Sequence, residues 1–292
     1  MAFQSSQLSD RSLKIIVCGA GTMGSSIAQL CAQQGYSTVL YDIAPGYIEK
    51  AAAAIGAQLL QLEQKQKISS TDRTAILQRL QFTSDLNQCV GDLVIEAIIE
   101  TPAAKISLFN QLAELNHSET VFASNTSSLS VTALAKEIQH PERVAGLHFF
   151  NPATLMKLVE VVETAYTPAS LIQSLCAFAE SLSKTPVVCT DAPGFIVNHV
   201  ARPFYIESLY LTEQYQLPMA TTDQLLEATG FRMGPFRLMD LIGNDINYAV
   251  SCSVYDQLGQ PERLKPSTLQ QEKVMKGELG KKTGQGYYSY SK

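Results

Sequence analysis

The chain has 292 residues, 46% hydrophobic and 17% charged, enough apolar material for one large core or two moderate ones. A formal net charge of −5 leaves no basic footprint for nucleic acid, so any phosphate must be held by local groups. No apolar run reaches the roughly 18 residues that a membrane helix needs. The polar segment 1–10 lacks the apolar core of a secretory leader, and six cysteines without a C-x-x-C pair (Cys18, Cys31, Cys89, Cys176, Cys189, Cys252) point to free thiols in a reducing cytoplasm and to no metal site.

Residues 13–18 predict a short apolar strand that runs straight into Gly19-Ala20-Gly21-Thr22-Met23-Gly24 and then into a helical pattern at Ile27, Ala28, Leu30 and Cys31. A second strand, 38–41, ends at Asp42, which completes a β-α-β unit of about thirty residues. A long helix over 47–67, rich in Ala, Leu and Gln, and another over 71–80 follow. Residues 93–97 read as a buried strand, and Pro102 opens the next helix. Further strands are expected at 120–124, 144–148, 158–162 and 185–189, with helical patterns between several of them. That alternation predicts an α/β fold with a mostly parallel, helix-covered sheet. Beyond Asp191 the strand-like runs stop, and 193–215, 221–230, 235–258 and 267–277 read as helices. The expected division is a sheet domain over 1–190 and an all-helical C-terminal domain over 191–292.

The glycine loop is the first feature with chemistry. A lone G-x-G-x-x-G is weak, but here it follows a strand and opens a helix. Gly19 permits a tight turn, Gly21 the close approach of a pyrophosphate, and Gly24 the packing of helix on strand. The helix N-terminus offers N–H groups and a positive dipole end to phosphates. Asp42, about 20 residues on, suits the adenosine ribose hydroxyls and repels a 2′-phosphate, which favours NAD over NADP. The plain alternative is a tight strand–helix turn with an incidental acid.

Three further segments lie at strand ends or on strand faces. Ser124-Asn125-Thr126-Ser127-Ser128 ends a strand, where ligands of open α/β sheets bind. Taken by itself, however, capping of the next helix by Ser127 or Ser128 is the stronger reading. His148, flanked by aromatics, is able to accept a hydroxyl proton near neutral pH, or is a core histidine with its needs met. Glu160 shares a strand face with Leu158 and Val162, where a carboxylate is costly unless paired. His148 is a natural partner, and a lysine is the other. A base, its orienting acid and neutral donors are what hydride removal from a secondary alcohol requires beside a nicotinamide.

These blocks, with Gly146-Leu147-His148-Phe149-Phe150-Asn151-Pro152, residues 156–162, Asp191-Ala192-Pro193-Gly194-Phe195-Ile196-Val197-Asn198 and Met233-Gly234-Pro235-Phe236, resemble the signature segments of the 3-hydroxyacyl-CoA dehydrogenase family, in the same order over about residues 13–290. The resemblance implies an N-terminal Rossmann-like domain, a C-terminal helical domain that dimerises, and a substrate cleft between them. It implies His148 as general base, Glu160 as its partner, and Ser127 and Asn198 as hydrogen-bonding groups for the substrate. The cofactor is NAD, held by Gly19, Gly21, Thr22, Met23, Gly24 and Asp42, with Glu100 and Lys105 along it, Asn151 near the nicotinamide and Lys282 reaching it. The implied reaction is oxidation of a short (S)-3-hydroxyacyl-CoA such as 3-hydroxybutyryl-CoA, or its reverse, by a cytoplasmic homodimer. No nucleic acid or membrane partner is expected.

The sequence departs from the family pattern on the long helix, where glutamines (Gln58, Gln61, Gln64, Gln66) stand where lysines for the CoA nucleotide are expected, leaving Lys65 and Lys67. His199 also stands where an arginine is expected. These departures keep open a dehydrogenase of carrier-protein-bound hydroxyacyl groups; a non-catalytic dinucleotide-binding protein is the remaining alternative.

Overall fold

Residues Lys14–Cys18, almost wholly buried, form strand β1. The glycine loop then turns the chain into helix α1, Thr22–Gln33, whose Ile27, Ala28, Leu30 and Cys31 face the core as the spacing predicts. These come from a computed structural model that describes residues 7–290. The chain falls into two compact units that part between Asp191 and Ala192.

In the first unit, β2 (Ser37–Tyr41) leads to α2 (Pro45–Gln64), which starts with a proline whose missing N–H costs nothing in the first turn. Helix α3 (Ser70–Gln78) is fixed by a capping box in which Ser69 and Asp72 satisfy each other's backbone amides. Then come β3 (Leu80–Thr83), β4 (Leu93–Glu96), α4 (Pro102–Leu115), β5 (Val121–Ser124), α5 (Val131–Lys136), β6 (Val144–Phe149), β7 (Leu158–Glu163), α6 (Ala169–Ser181) and β8 (Thr185–Thr190).

The strands form one eight-stranded sheet in the order β3-β2-β1-β4-β5-β6-β7-β8. Every pairing is parallel except β6 with β7. Its central strands are buried on both faces, which is why β1, β4 and β5 read as unbroken apolar runs rather than as alternation. The parallel strands deliver the glycine loop and the segments after β4, β5 and β6 to one edge of the sheet.

The sequence did not announce β3. Its first residue, Leu80, closes the helix expected over 71–80 and the other three fall in no expected element, because a short run with mixed exposure carries no period of its own. Pairing with β2 makes it a strand.

The second unit holds helices α7 (Val197–Tyr215), α8 (Met219–Ala228), α9 (Pro235–Ile242), α10 (Asn244–Gln257) and α11 (Thr268–Met275), around a core of Tyr205, Leu209, Phe236 and Met239. The stretch 235–258, expected as one helix, is two. Gly243 breaks it with a φ of +106°, a backbone state that only glycine holds without strain. Helix α7 starts later than expected because Gly194 and Phe195 turn in the left-handed region first. No helix among the described residues is long and apolar enough to cross a membrane.

Candidate active site

The glycine loop is built as its spacing requires. The Gly19 amide donates to the Tyr41 carbonyl at 2.7 Å, and a Cβ at Gly19 would lie 2.4 Å from the Ala97 carbonyl oxygen. A Cβ at Gly24 would lie 1.7 Å from the Gly19 oxygen, so these two glycines are demanded by the protein itself. Gly21 is different. A Cβ there would meet nothing within 4 Å, its φ of −71° suits any residue, and it is exposed at the start of α1 with no side-chain cap. The protein itself does not need a glycine at this position, whereas a dinucleotide whose pyrophosphate approached the backbone there would need one. Thr22 is exposed and Met23 half-buried beside it. The loop therefore fits a dinucleotide on its own geometry.

Asp42 has a task inside the protein as well. One carboxylate oxygen accepts from the Ala20 amide at 2.8 Å and the other from the Ala44 amide at 2.9 Å, so it holds the loop from the next strand end.

Glu96, at the end of β4, is fully buried and lies at the centre of a network that the sequence reading missed. It accepts from Lys105 Nζ at 2.5 Å, from the Ile98 amide at 2.7 Å and from Ser124 Oγ at 2.6 Å. Lys105, also buried, reaches Glu100 at 3.0 Å. Glu100 in turn accepts from the Thr126 hydroxyl, the Ser127 amide at 3.2 Å and Ser128 Oγ at 3.1 Å. Burial pushes the Glu100 carboxyl up, but Lys105 and these donors together outweigh it and hold the group below its ordinary value. Asn125 accepts the Phe149 amide at 2.8 Å and so ties the end of β5 to the end of β6. The signal that would have found Glu96 is the one used for Glu160: a carboxylate closing an apolar strand.

Ser127 thus lies on a loop braced by Glu100, Thr126 and Asn125. The capping alternative fails. Ser130 caps α5, accepting from the Ala133 amide at 3.1 Å, and Asp191 takes Ser130 Oγ at 2.6 Å and the Thr132 amide at 2.7 Å.

His148 and Glu160 are register partners across β6 and β7. Glu160 Oε2 lies 2.6 Å from His148 Nδ1, so the partner is the histidine and not a lysine. Both are buried, and the Phe150 ring lies 4.6 Å from the imidazole, centre to centre. A carboxylate on Nδ1 keeps the hydrogen there and directs proton acceptance to Nε2. Asn151, exposed, follows on the same segment, joined to Pro152 by a cis bond. Lys184 Nζ anchors that loop by donating to the carbonyls of Ala153 at 2.6 Å and Met156 at 2.9 Å.

The structure therefore collects the glycine loop, Asp42, Glu100, Lys105, Ser127, His148 and Asn151 at one sheet edge of the first unit, with Glu160 behind His148. In the second unit, Asn198 lies in the first turn of α7, and Lys282 pairs with Asp245 at 2.6 Å. His199 is held by the Pro193 carbonyl at 2.9 Å. Gln58, Gln61 and Gln64 on α2, and Lys65 and Lys67 just after it, are exposed.

The model of the NAD binding domain of 3-hydroxyacyl-CoA dehydrogenase matches residues 14–192, and the model of that enzyme's C-terminal domain matches residues 194–290. The chain belongs to the 3-hydroxyacyl-CoA dehydrogenase family. It is 46% identical over 278 residues to 3-hydroxyadipyl-CoA dehydrogenase of Escherichia coli (strain K12), covering 94% of this chain but only 58% of that protein. It is 37% identical over 280 residues to a probable 3-hydroxybutyryl-CoA dehydrogenase of Deinococcus radiodurans, covering 95% of this chain and all of the other. Its fold matches the crystal structure of (S)-3-hydroxybutyryl-CoA dehydrogenase from Ralstonia eutropha with a TM-score of 0.90 at 32% identity, over 96% of this chain and 99% of that one. The family's cofactor is NAD, in keeping with the open backbone at Gly21 and with the acid at Asp42.

Proposed function

We propose that this chain is an NAD-dependent dehydrogenase that interconverts a short-chain (S)-3-hydroxyacyl-CoA, such as 3-hydroxybutyryl-CoA, and the 3-ketoacyl-CoA. The observation that carries the reading is the buried His148–Glu160 pair at the sheet edge that also presents the glycine loop. His148 takes the proton of the 3-hydroxyl on Nε2, and Glu160 stabilises the imidazolium that results. Ser127 and Asn198 orient the substrate by hydrogen bonds to its oxygens. Gly19, Gly21, Thr22, Met23, Gly24 and Asp42 hold the dinucleotide, with Glu100, Lys105, Asn151 and Lys282 as its further contacts. Bound NAD supplies the acceptor for the hydride of the substrate carbon.

The same reading makes the protein a cytoplasmic homodimer with 1–190 as cofactor domain and 191–292 as the helical domain that dimerises. Large apolar side chains exposed on the second unit, among them Val200, Tyr210, Leu225 and Ile246, support an interface there.

One observation favours a second reading. Along α2 and the segment just after it, exposed Gln58, Gln61, Gln64 and Gln66 stand beside only Lys50, Lys65 and Lys67 as cations, a thin complement for a CoA 3′-phosphate and compatible with an acyl group on a carrier protein. NADH oxidation with acetoacetyl-CoA, beside the N-acetylcysteamine thioester, decides. Turnover that needs the CoA ester and is abolished in His148→Gln supports the CoA enzyme. Equal rates with both thioesters move the assignment to a carrier-bound substrate, and NADH binding without turnover would leave only a dinucleotide-binding protein.

A further inference from the structure

Helix α7 carries Asn198 and, one turn on, Arg202. Arg202 is 2% exposed, yet no acid meets it. Its Nε donates to the Asn198 carbonyl at 2.8 Å, and Nη1 donates to the Asn247 carbonyl at 3.1 Å and to Ser251 Oγ at 2.8 Å. All these acceptors are neutral. No ion pair forms at Arg202 among the described residues, Nη2 has no hydrogen-bond partner among them, and Nη2 is not one of the fully enclosed atoms that lack a partner. Burial lowers the guanidinium to about 10, and the only other influence on it is Tyr205, over whose ring it lies at 5.0 Å. A buried cation without a counter-charge is a costly thing to keep, and an anionic ligand removes that cost.

We propose that Arg202 determines substrate specificity by receiving the terminal carboxylate of a 3-hydroxy dicarboxylic acyl thioester through Nη2. This rests on the reading above that Asn198 hydrogen-bonds an oxygen of the substrate, and takes that oxygen to be the 3-hydroxyl. Arg202 is bonded to the Asn198 backbone, and its own backbone lies about 6 Å further along the helix. The segment from C3 to the terminal carboxylate oxygens of an extended six-carbon diacid spans a comparable distance. The three neutral hydrogen bonds hold the guanidinium plane, so an arriving carboxylate finds it already oriented. A phosphate on the CoA moiety would be a different partner and would make the enzyme indifferent to the end of the acyl chain.

The test compares the purified full chain on 3-oxoadipyl-CoA and 3-oxohexanoyl-CoA, which differ only in carboxylate against methyl, with NADH. The expected result is a kcat/KM ratio of at least about tenfold for the diacid. That ratio collapses in Arg202→Met and is partly restored in Arg202→Lys. Adipyl-CoA should likewise compete with substrate better than hexanoyl-CoA on the wild-type chain, a readout that stands if the variants fail to fold. A wild-type enzyme that treats both esters alike overturns the proposal, as does an Arg202→Met variant that lowers both rates by one factor, since a merely structural arginine moves them together. Absence of turnover with acetoacetyl-CoA as well would instead sink the dehydrogenase reading, and this inference with it.

Discussion

Glu160 stands directly opposite His148 across the antiparallel β6–β7 ladder, its Oε2 2.6 Å from the imidazole Nδ1. Neighbouring strands thus fix the imidazole and the carboxylate proposed as base and orienting acid. Glu160→Gln keeps the shape but offers an amide that is able to donate to Nδ1 and favour the wrong tautomer. The expected result is a fall in kcat of roughly a hundredfold or more with little change in KM. Steady-state kinetics on acetoacetyl-CoA check it, and an unaltered kcat would remove Glu160 from the mechanism.

The glycines of the loop should separate by cause. Gly24→Ala forces a methyl into the Gly19 carbonyl and is expected to cost about 1–3 kcal/mol of stability, read by urea unfolding. Gly21→Ala meets no protein atom, so stability should stay within about 0.5 kcal/mol while NADH affinity falls at least severalfold. Fluorescence titration with NADH checks the second half. If Gly21→Ala binds NADH like the parent, the pyrophosphate does not pass there.

Lys105 lies between Glu96 and Glu100 with almost no exposure. Lys105→Met leaves Glu96 buried and unpaired, and the expected loss is about 3–5 kcal/mol in chemical denaturation. The double variant with Glu96→Gln should recover part of it, because the orphaned charge is gone. A single variant as stable as the parent would mean that the Lys105–Glu96 pair contributes nothing to the fold.

Acid should loosen the Ser127 loop. Glu100 is held below its ordinary value of 4.5, so its contribution is complete above that pH and is lost as the pH falls through the folded value. The stability difference between the parent and Glu100→Gln should therefore be largest near neutrality and shrink in acid. Thermal unfolding across roughly pH 3 to 7, which brackets an ordinary carboxylate, measures it. A difference that grows in acid would reverse the assignment.

The glycine loop, Asp42 and the change from strands to helices near Asp191 were legible in the sequence, because each depends on local geometry: a turn that excludes Cβ atoms, a strand end, a hydrophobic period. The solitary carboxylate of Glu160 also announced that it needs a partner. Which partner it takes was decided by tertiary structure, since only the antiparallel turn of β7 in an otherwise parallel sheet brings His148 opposite it. The same holds for β3, which exists by virtue of β2, for Ser130 and Asp191 taking the capping role that Ser127 and Ser128 seemed suited to, and for the closing of Glu96 on Lys105. Nothing in the local sequence marks Arg202; the fold alone buries it among neutral acceptors. Burial and register are long-range quantities. They depend on which distant segments the chain brings together, and no window of local sequence holds that information.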